Sequence, residues 1–257
     1  MEPIYRKDYA MTKRFTLIAF TLSLFATVTL ISTQNQGDPT LTEVWEPIPA
    51  VIMPGDWTSP PSDAIQLFNG IDLSAWTGLN NEAMWNVADG ILTVTGGTGD
   101  IKTKQAFGDV QLHIEWRTPT EITGDGQDRG NSGVYLMSRY EIQVLDSFNN
   151  RTYSNGQAGS VYKQFSPLVN ASRKPGEWQV YDIIFLAPRF NDAGGVTAPA
   201  RLTVLHNGVL IQNHVPIKGS SVFIGDPTYE AHPPKAPLLL QDHSNPVSYR
   251  NIWVREL

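Results

Sequence analysis

The chain contains no cysteine. Disulfides, a thiolate metal site and a cysteine nucleophile are therefore excluded. Positive charge is also scarce: 19 Lys and Arg stand against 25 Asp and Glu, a formal net charge of −6. Arg6, Lys7, Lys13 and Arg14 against Glu2 and Asp8 make residues 1–33 a net +2, which leaves −8 for the rest. An acidic chain without a basic cluster repels a phosphate backbone, so nucleic acid is not an expected partner. No convincing helical periodicity appears after residue 33. The glycine cluster Gly96, Gly97 and Gly99 lacks the Lys-Ser/Thr and the following helix of a phosphate-binding loop. No redox-cofactor motif, no HExxH and no internal repeat is present.

What the chain does have divides into three stretches. Residues 1–33 read as a signal peptide, or as an N-terminal membrane anchor if uncleaved: Lys13 and Arg14 precede an uncharged, mostly apolar run from Phe15 to Ile31. Met11 is an alternative start. The expected destination is the periplasm or the extracellular space, with membrane contact only if the segment is retained. Residues 34–63 form a Pro-rich lead, with Pro39, Pro47, Pro49, Pro54, Pro60 and Pro61 enforcing an extended path. Trp45, Ile48, Val51, Ile52 and Trp57 suggest that this lead straps onto the domain. Residues 64–257 are the domain itself, long enough for one substantial core.

Short β-rich runs recur through that domain between turn residues. Val110–Arg117 alternates most cleanly, with Val110, Leu112, Ile114 and Trp116 on one side and Gln111, His113, Glu115 and Arg117 on the other. Asp89-Gly90 and Asn207-Gly208 mark two hairpins. Further strands are expected at 65–68, 134–137, 140–145, 178–186, 238–240 and 249–256. The segments 149–174 and 188–199 read as loops. About a dozen strands with hairpin links predict an all-β fold, two antiparallel sheets packed as a jelly-roll sandwich.

The stretch from Gly130 to Ser147 is the chemical focus. In Tyr140–Leu145, Tyr140, Ile142 and Val144 point one way, and Glu141, Gln143 and Leu145 the other. A carboxylate on a rigid strand is well suited to hold a base against a ligand. The same pattern also describes the solvated face of an ordinary antiparallel sheet.

Five blocks in order, LFNGIDLSAW (67–76), GNSGVYL (130–136), YEIQVLDS (140–147), YDIIFLAPRF (181–190) and LLLQDHSNPVSYRNIWVREL (238–257), resemble the 3-keto-disaccharide hydrolase domain family. One departure is Ser244, where the family often has Gly. The resemblance implies a concanavalin A-like sandwich, export, and action on a 3-keto disaccharide or another keto-glycoside. A C3 ketone acidifies the C2 proton, so one base suffices to start elimination of the C1 oxygen, without the paired carboxylates of ordinary glycosidases.

On that reading Glu141 is the candidate base and His243 the candidate acid. Arg129, Asn131, Gln143 and Gln241 are candidate hydrogen-bond donors to the substrate. His113 and Glu115 could join the site from their own strand, and Tyr162 or Trp178 could stack on a sugar ring. A divalent metal held by Glu141, Asp146 and His243 would polarise the ketone, although Asp146 also suits capping the loop that it begins. A non-catalytic carbohydrate-binding module on the same sandwich is the alternative. A laminarinase-like double displacement is disfavoured, because Gln143 stands at the central position of the carboxylate strand and Asp146 cannot share the face of Glu141.

Overall fold

The computed structural model describes residues 37–56 and 59–257. The leader read over residues 1–33 lies outside the described residues, as does Trp57. Residues up to Val51 form one unit and Ile52–Leu257 another. In the first, Asp38 caps a short 3-10 turn, Pro39–Thr42, and Trp45, Ile48 and Val51 are exposed. From Ile52 onward the lead belongs to the second unit. Met53 and Ser62 exchange hydrogen bonds at 3.0 Å, and Asp63 pairs with Arg255 at 2.7 Å.

The second unit is an all-β sandwich, and its strand pairs are antiparallel. One sheet has eight strands. Its main path runs β13 (Val209–Pro216), β12 (Arg201–His206), β9 (Gln179–Leu186), β6 (Val110–Arg117), β15 (Ser248–Glu256), β4 (Ile91–Thr93) and β3 (Asn86–Ala88). The eighth strand, β1 (Ile65–Phe68), pairs with β15. The other sheet runs β2 (Trp76–Thr77), β5 (Ile101–Phe107), β14 (Ala236–Leu240), β7 (Ser132–Leu136) and β8 (Tyr140–Val144). A separate ribbon pairs β10 (Arg189–Phe190) with β11 (Val196–Ala198), inside the segment expected to be a loop.

Alternation decides which side chains fill the space between the sheets. Leu112, Ile114 and Trp116 of β6 and Tyr181, Ile183 and Phe185 of β9 are buried there with Tyr140, Ile142 and Val144 of β8. Tyr181 crosses the sandwich and donates to the Gln143 carbonyl at 2.9 Å. Tyr249 donates to Ser132 Oγ at 2.7 Å, and Ser132 in turn donates to the Gln241 carbonyl at 2.6 Å. These buried bonds fix β7, β8 and the end of β14 against the larger sheet.

On the outer face of the larger sheet, His113 Nδ1 lies 2.7 Å from Asp182 Oδ1, and its Nε2 lies 3.8 Å from Glu115 Oε1. A bulge in β15 puts Asn251 at φ 46°, and its amide donates to Glu115 at 2.9 Å. Arg250 donates to the other Glu115 oxygen at 2.6 Å. Burial works against the His113 charge, but the two carboxylates outweigh it and hold the imidazolium up to about 9. Burial also opposes ionisation of Glu115, and its three hydrogen-bond donors outweigh that and bring it down to about 2.

The His113 contribution to stability is therefore complete below its ordinary value of 6.5 and is lost as pH rises through about 9. The Glu115 contribution is complete above 4.5 and is lost as pH falls through about 2. At ~1.4 kcal/mol per unit, the His113 effect is about 3–4 kcal/mol at most. Denaturant unfolding is expected to show wild type losing stability between pH 7 and 9, below the range where tyrosines ionise, while His113→Gln stays nearly flat over that interval. Parallel curves for the two proteins would refute this.

Candidate functional site

β7 and β8 form a hairpin in which Tyr135 sits opposite Glu141 and Gly133 opposite Gln143. Opposed residues share a face, so Tyr135, Glu141 and Gln143 all point away from the core. Gln241 follows β14 and donates its backbone N–H to the Gly133 carbonyl at 3.0 Å, which brings its side chain to the same place. This face is not solvated. Residues 158–162 run along the free edge of β8, with Tyr162 N–H donating to the Glu141 carbonyl at 3.2 Å and Gln143 N–H to the Ser160 carbonyl at 3.0 Å. From the other side, the connection between β13 and β14 places Ser221 Oγ 3.0 Å from the Glu141 N–H.

The result is a pocket of about 200 Å³, lined by Asn131, Tyr135, Glu141, Gln143, Tyr162, Ser221, Val222, Phe223, Gln241 and His243. Its volume is below the ~300–1,000 Å³ usual for drug-sized ligands, so it suits a small ligand or one unit of a larger one. Gly133 makes the floor. A Cβ there would come within 2.8 Å of the Tyr135 ring and 2.9 Å of Glu141 Oε1. At the mouth, Lys163 Nζ donates to the Phe223 carbonyl at 2.6 Å and lies 4.1 Å from the Phe223 ring, with Tyr153 and Tyr162 also near it.

Glu141 is 4% exposed. Burial raises its pKa to about 7; a hydrogen bond from Tyr135 opposes the rise, and the charge of Asp100 adds to it. A carboxyl poised near neutrality, within a cleft, is suited to taking and returning a proton.

Gln143 has both of its amide N–H groups engaged, whereas Gln241 has engaged one of its two. Gln143 Nε2 is spent on Gln127 Oε1 at 3.1 Å and Asn131 Oδ1 at 3.3 Å, and Gln241 Nε2 on the Tyr135 hydroxyl at 3.2 Å. Their oxygens, Gln143 Oε1 and Gln241 Oε1, are buried without a hydrogen-bond partner. A buried acceptor left open is costly, and a ligand hydroxyl would satisfy it. Asn131 similarly spends its amide on the Gln127 carbonyl at 2.7 Å.

Of the expected site residues, Glu141, His243, Asn131, Gln143, Gln241 and Tyr162 line this pocket. The others lie elsewhere. Arg129 pairs with Asp146 at 2.7 Å and donates to the Phe148 carbonyl, bracing the loop after β8. Asp146 also accepts from the Phe148 N–H at 3.2 Å, so its carboxylate is committed to the loop. It does not meet Glu141 and His243, and among the described residues no group of three or more His, Asp or Glu could hold a metal ion. His113 and Glu115 lie on the larger sheet in the ion cluster described above. Trp178 carries the guanidinium groups of Arg117 and Arg250 against its ring, at 4.6 and 4.1 Å, and lies outside this pocket.

Sequence reading missed Tyr135, Ser221 and Phe223. The first was detectable: alternation along β7 and a tight hairpin set it opposite Glu141. Ser221 and Phe223 arrive on a long irregular connection, and no local pattern announces them.

Comparison with known proteins adds the following. The model of the 3-keto-alpha-glucoside-1,2-lyase-like domain matches residues 63–255. A proposed glycosyl hydrolase from Parabacteroides distasonis ATCC 8503 is similar at 50% identity and a TM-score of 0.83, over 88% of this chain and 99% of that one. A second proposed glycosyl hydrolase of the same organism shares the fold at 21% identity and a TM-score of 0.54, over 76% of this chain and 94% of that one. No curated protein matches the sequence.

Proposed function

The chain belongs to the 3-keto-alpha-glucoside-1,2-lyase-like domain family, and from that membership, which carries a carbohydrate-active role, we propose that it cleaves glycosidic bonds of 3-keto sugars by elimination and hydration. The observation that carries this reading is Glu141, a buried carboxyl raised to about 7 in a pocket that suits a small ligand or one unit of a larger one. Ionised Glu141 takes the C2 proton, and the electron pair passes into the enolate of the C3 ketone. The enolate collapses to a C1–C2 alkene conjugated with the ketone, and the C1–O bond breaks. His243, on the loop lining the pocket, gives the leaving oxygen its proton. Water then adds its hydroxyl at C1, C2 regains a proton from Glu141, and a proton from water reloads His243. The open oxygens of Gln143 and Gln241 accept from ring hydroxyls and orient the ring. Export is part of the same proposal and rests on the leader read over residues 1–33.

The test compares sugar release from a 3-keto disaccharide with release from its unoxidised counterpart across pH. Only the keto substrate is expected to react. Because Glu141 must be ionised, the rate is expected to fall as pH drops through about 7. A carbohydrate-binding module would leave both substrates intact, and cleavage of both alike would point to ordinary glycoside hydrolysis.

A further inference from the structure

The Tyr135 hydroxyl sits between two groups of fixed polarity. Gln241 Nε2 donates to its oxygen at 3.2 Å. The Glu141 carboxylate lies directly opposite on β8, and its Oε1 and the Tyr135 ring both crowd the position that a Cβ on Gly133 would take, at 2.9 and 2.8 Å. An amide nitrogen can only donate and an ionised carboxylate can only accept, so the phenolic proton is directed at Glu141. Gln241 is held in turn, its backbone N–H tied to Gly133 and its side-chain oxygen left open within the pocket.

We propose that Tyr135 is a positioning residue for this site: its hydroxyl, aimed by Gln241, fixes one oxygen of Glu141 and leaves the other to face the bound sugar. This rests on the reading of Glu141 as the base. Burial, with the nearby Glu141 charge, pushes the phenol well above its ordinary range, so the hydroxyl stays protonated and remains a donor. Such a bond favours the charged form of Glu141 and keeps the carboxyl from drifting above neutrality under the force of burial. The other titratable groups facing Glu141 are Asp100, whose charge acts in the opposite sense, and Tyr162 and His243 of the same pocket.

The experiment uses Tyr135→Phe, which keeps the ring and removes only the hydroxyl. Glu141 ionisation is followed in the full chain by NMR of ¹³C-labelled glutamate, with Glu141→Gln identifying the signal. The Glu141 pKa is expected to rise by about one unit in Tyr135→Phe, a tenfold gain in proton affinity. With a 3-keto disaccharide, kcat at pH 7 is expected to fall about fivefold with little change in KM, because the ionised fraction drops from about one half to about one eleventh, and most of the rate should return at pH 9. A purely structural loss would not be rescued by pH. An unchanged Glu141 titration would overturn the proposal, as would a rate loss equal at every pH. The titration needs no substrate, so failure of the 3-keto reading and failure of the Tyr135 role are distinguishable. If Tyr135→Phe does not fold, Gln241→Leu, which frees the phenol to turn, is expected to raise the Glu141 pKa in the same direction; no change there would also count against it.

Discussion

Glu141→Gln is expected to lower kcat by about 10²–10⁴-fold while leaving the fold intact, the range found when a positioned base is removed. Several features of the site support both halves of that expectation. The backbone of Glu141 is tied by the β7–β8 ladder, by Tyr162 and by Ser221, none of which involves its carboxylate. The side chain is isosteric with Gln, so packing is kept. The substitution also removes an ionisable group from a buried place, which relieves a desolvation cost. Stability measured by denaturant unfolding is therefore expected to be unchanged or raised. A variant that retains more than a tenth of the wild-type rate would remove Glu141 from the chemistry.

Gly133→Ala is expected to cost about 100-fold in kcat/KM with a much smaller loss of stability. The added Cβ would lie 2.8 Å from the Tyr135 ring, 2.9 Å from Glu141 Oε1 and 3.3 Å from Gln241 Oε1. Two of those three neighbours are the ends of flexible side chains, which can swing aside without disturbing the sheet. Swinging aside is what catalysis does not tolerate, since displacement by about 1 Å is enough to lose that factor. Steady-state kinetics alongside thermal unfolding separates the two effects. Full activity in the alanine variant would mean that the floor of the pocket does not set the position of Glu141.

The sandwich was legible because its central strands alternate without interruption. Val110–Arg117 spans the same residues in sequence and structure, and its four apolar side chains are all buried. Ile101–Phe107 was hidden, since Lys102, Lys104 and Gln105 dilute its apolar positions, and pairing with β14 and β2 rather than local preference makes it a strand. The site was half legible. Glu141 and Gln143 were readable as neighbours on one face, but that face looked like ordinary sheet surface. Its burial comes from residues 158–162 and from the loop carrying Ser221, both remote in sequence, and burial is what raises the Glu141 pKa. Arg129, His113 and Glu115 were chemically plausible residues whose partners, Asp146, Asp182 and Arg250, engage them in ion pairs away from the pocket. Ser244 adopts φ 62°, the left-handed region that glycine occupies freely, which gives a physical reason for glycine at that place in related sequences.

Proton abstraction from C2 by Glu141 can be observed apart from bond cleavage. A 3-keto 1,5-anhydrohexitol has the acidic C2–H but no glycosidic leaving group at C1, which carries only the ring oxygen. In D₂O, wild-type protein is expected to exchange that hydrogen for deuterium well above the uncatalysed rate, as read by NMR, and Glu141→Gln is not. If C2 keeps its protium with both proteins while 3-keto disaccharides are cleaved, the bond is broken by another route and Glu141 is not the base.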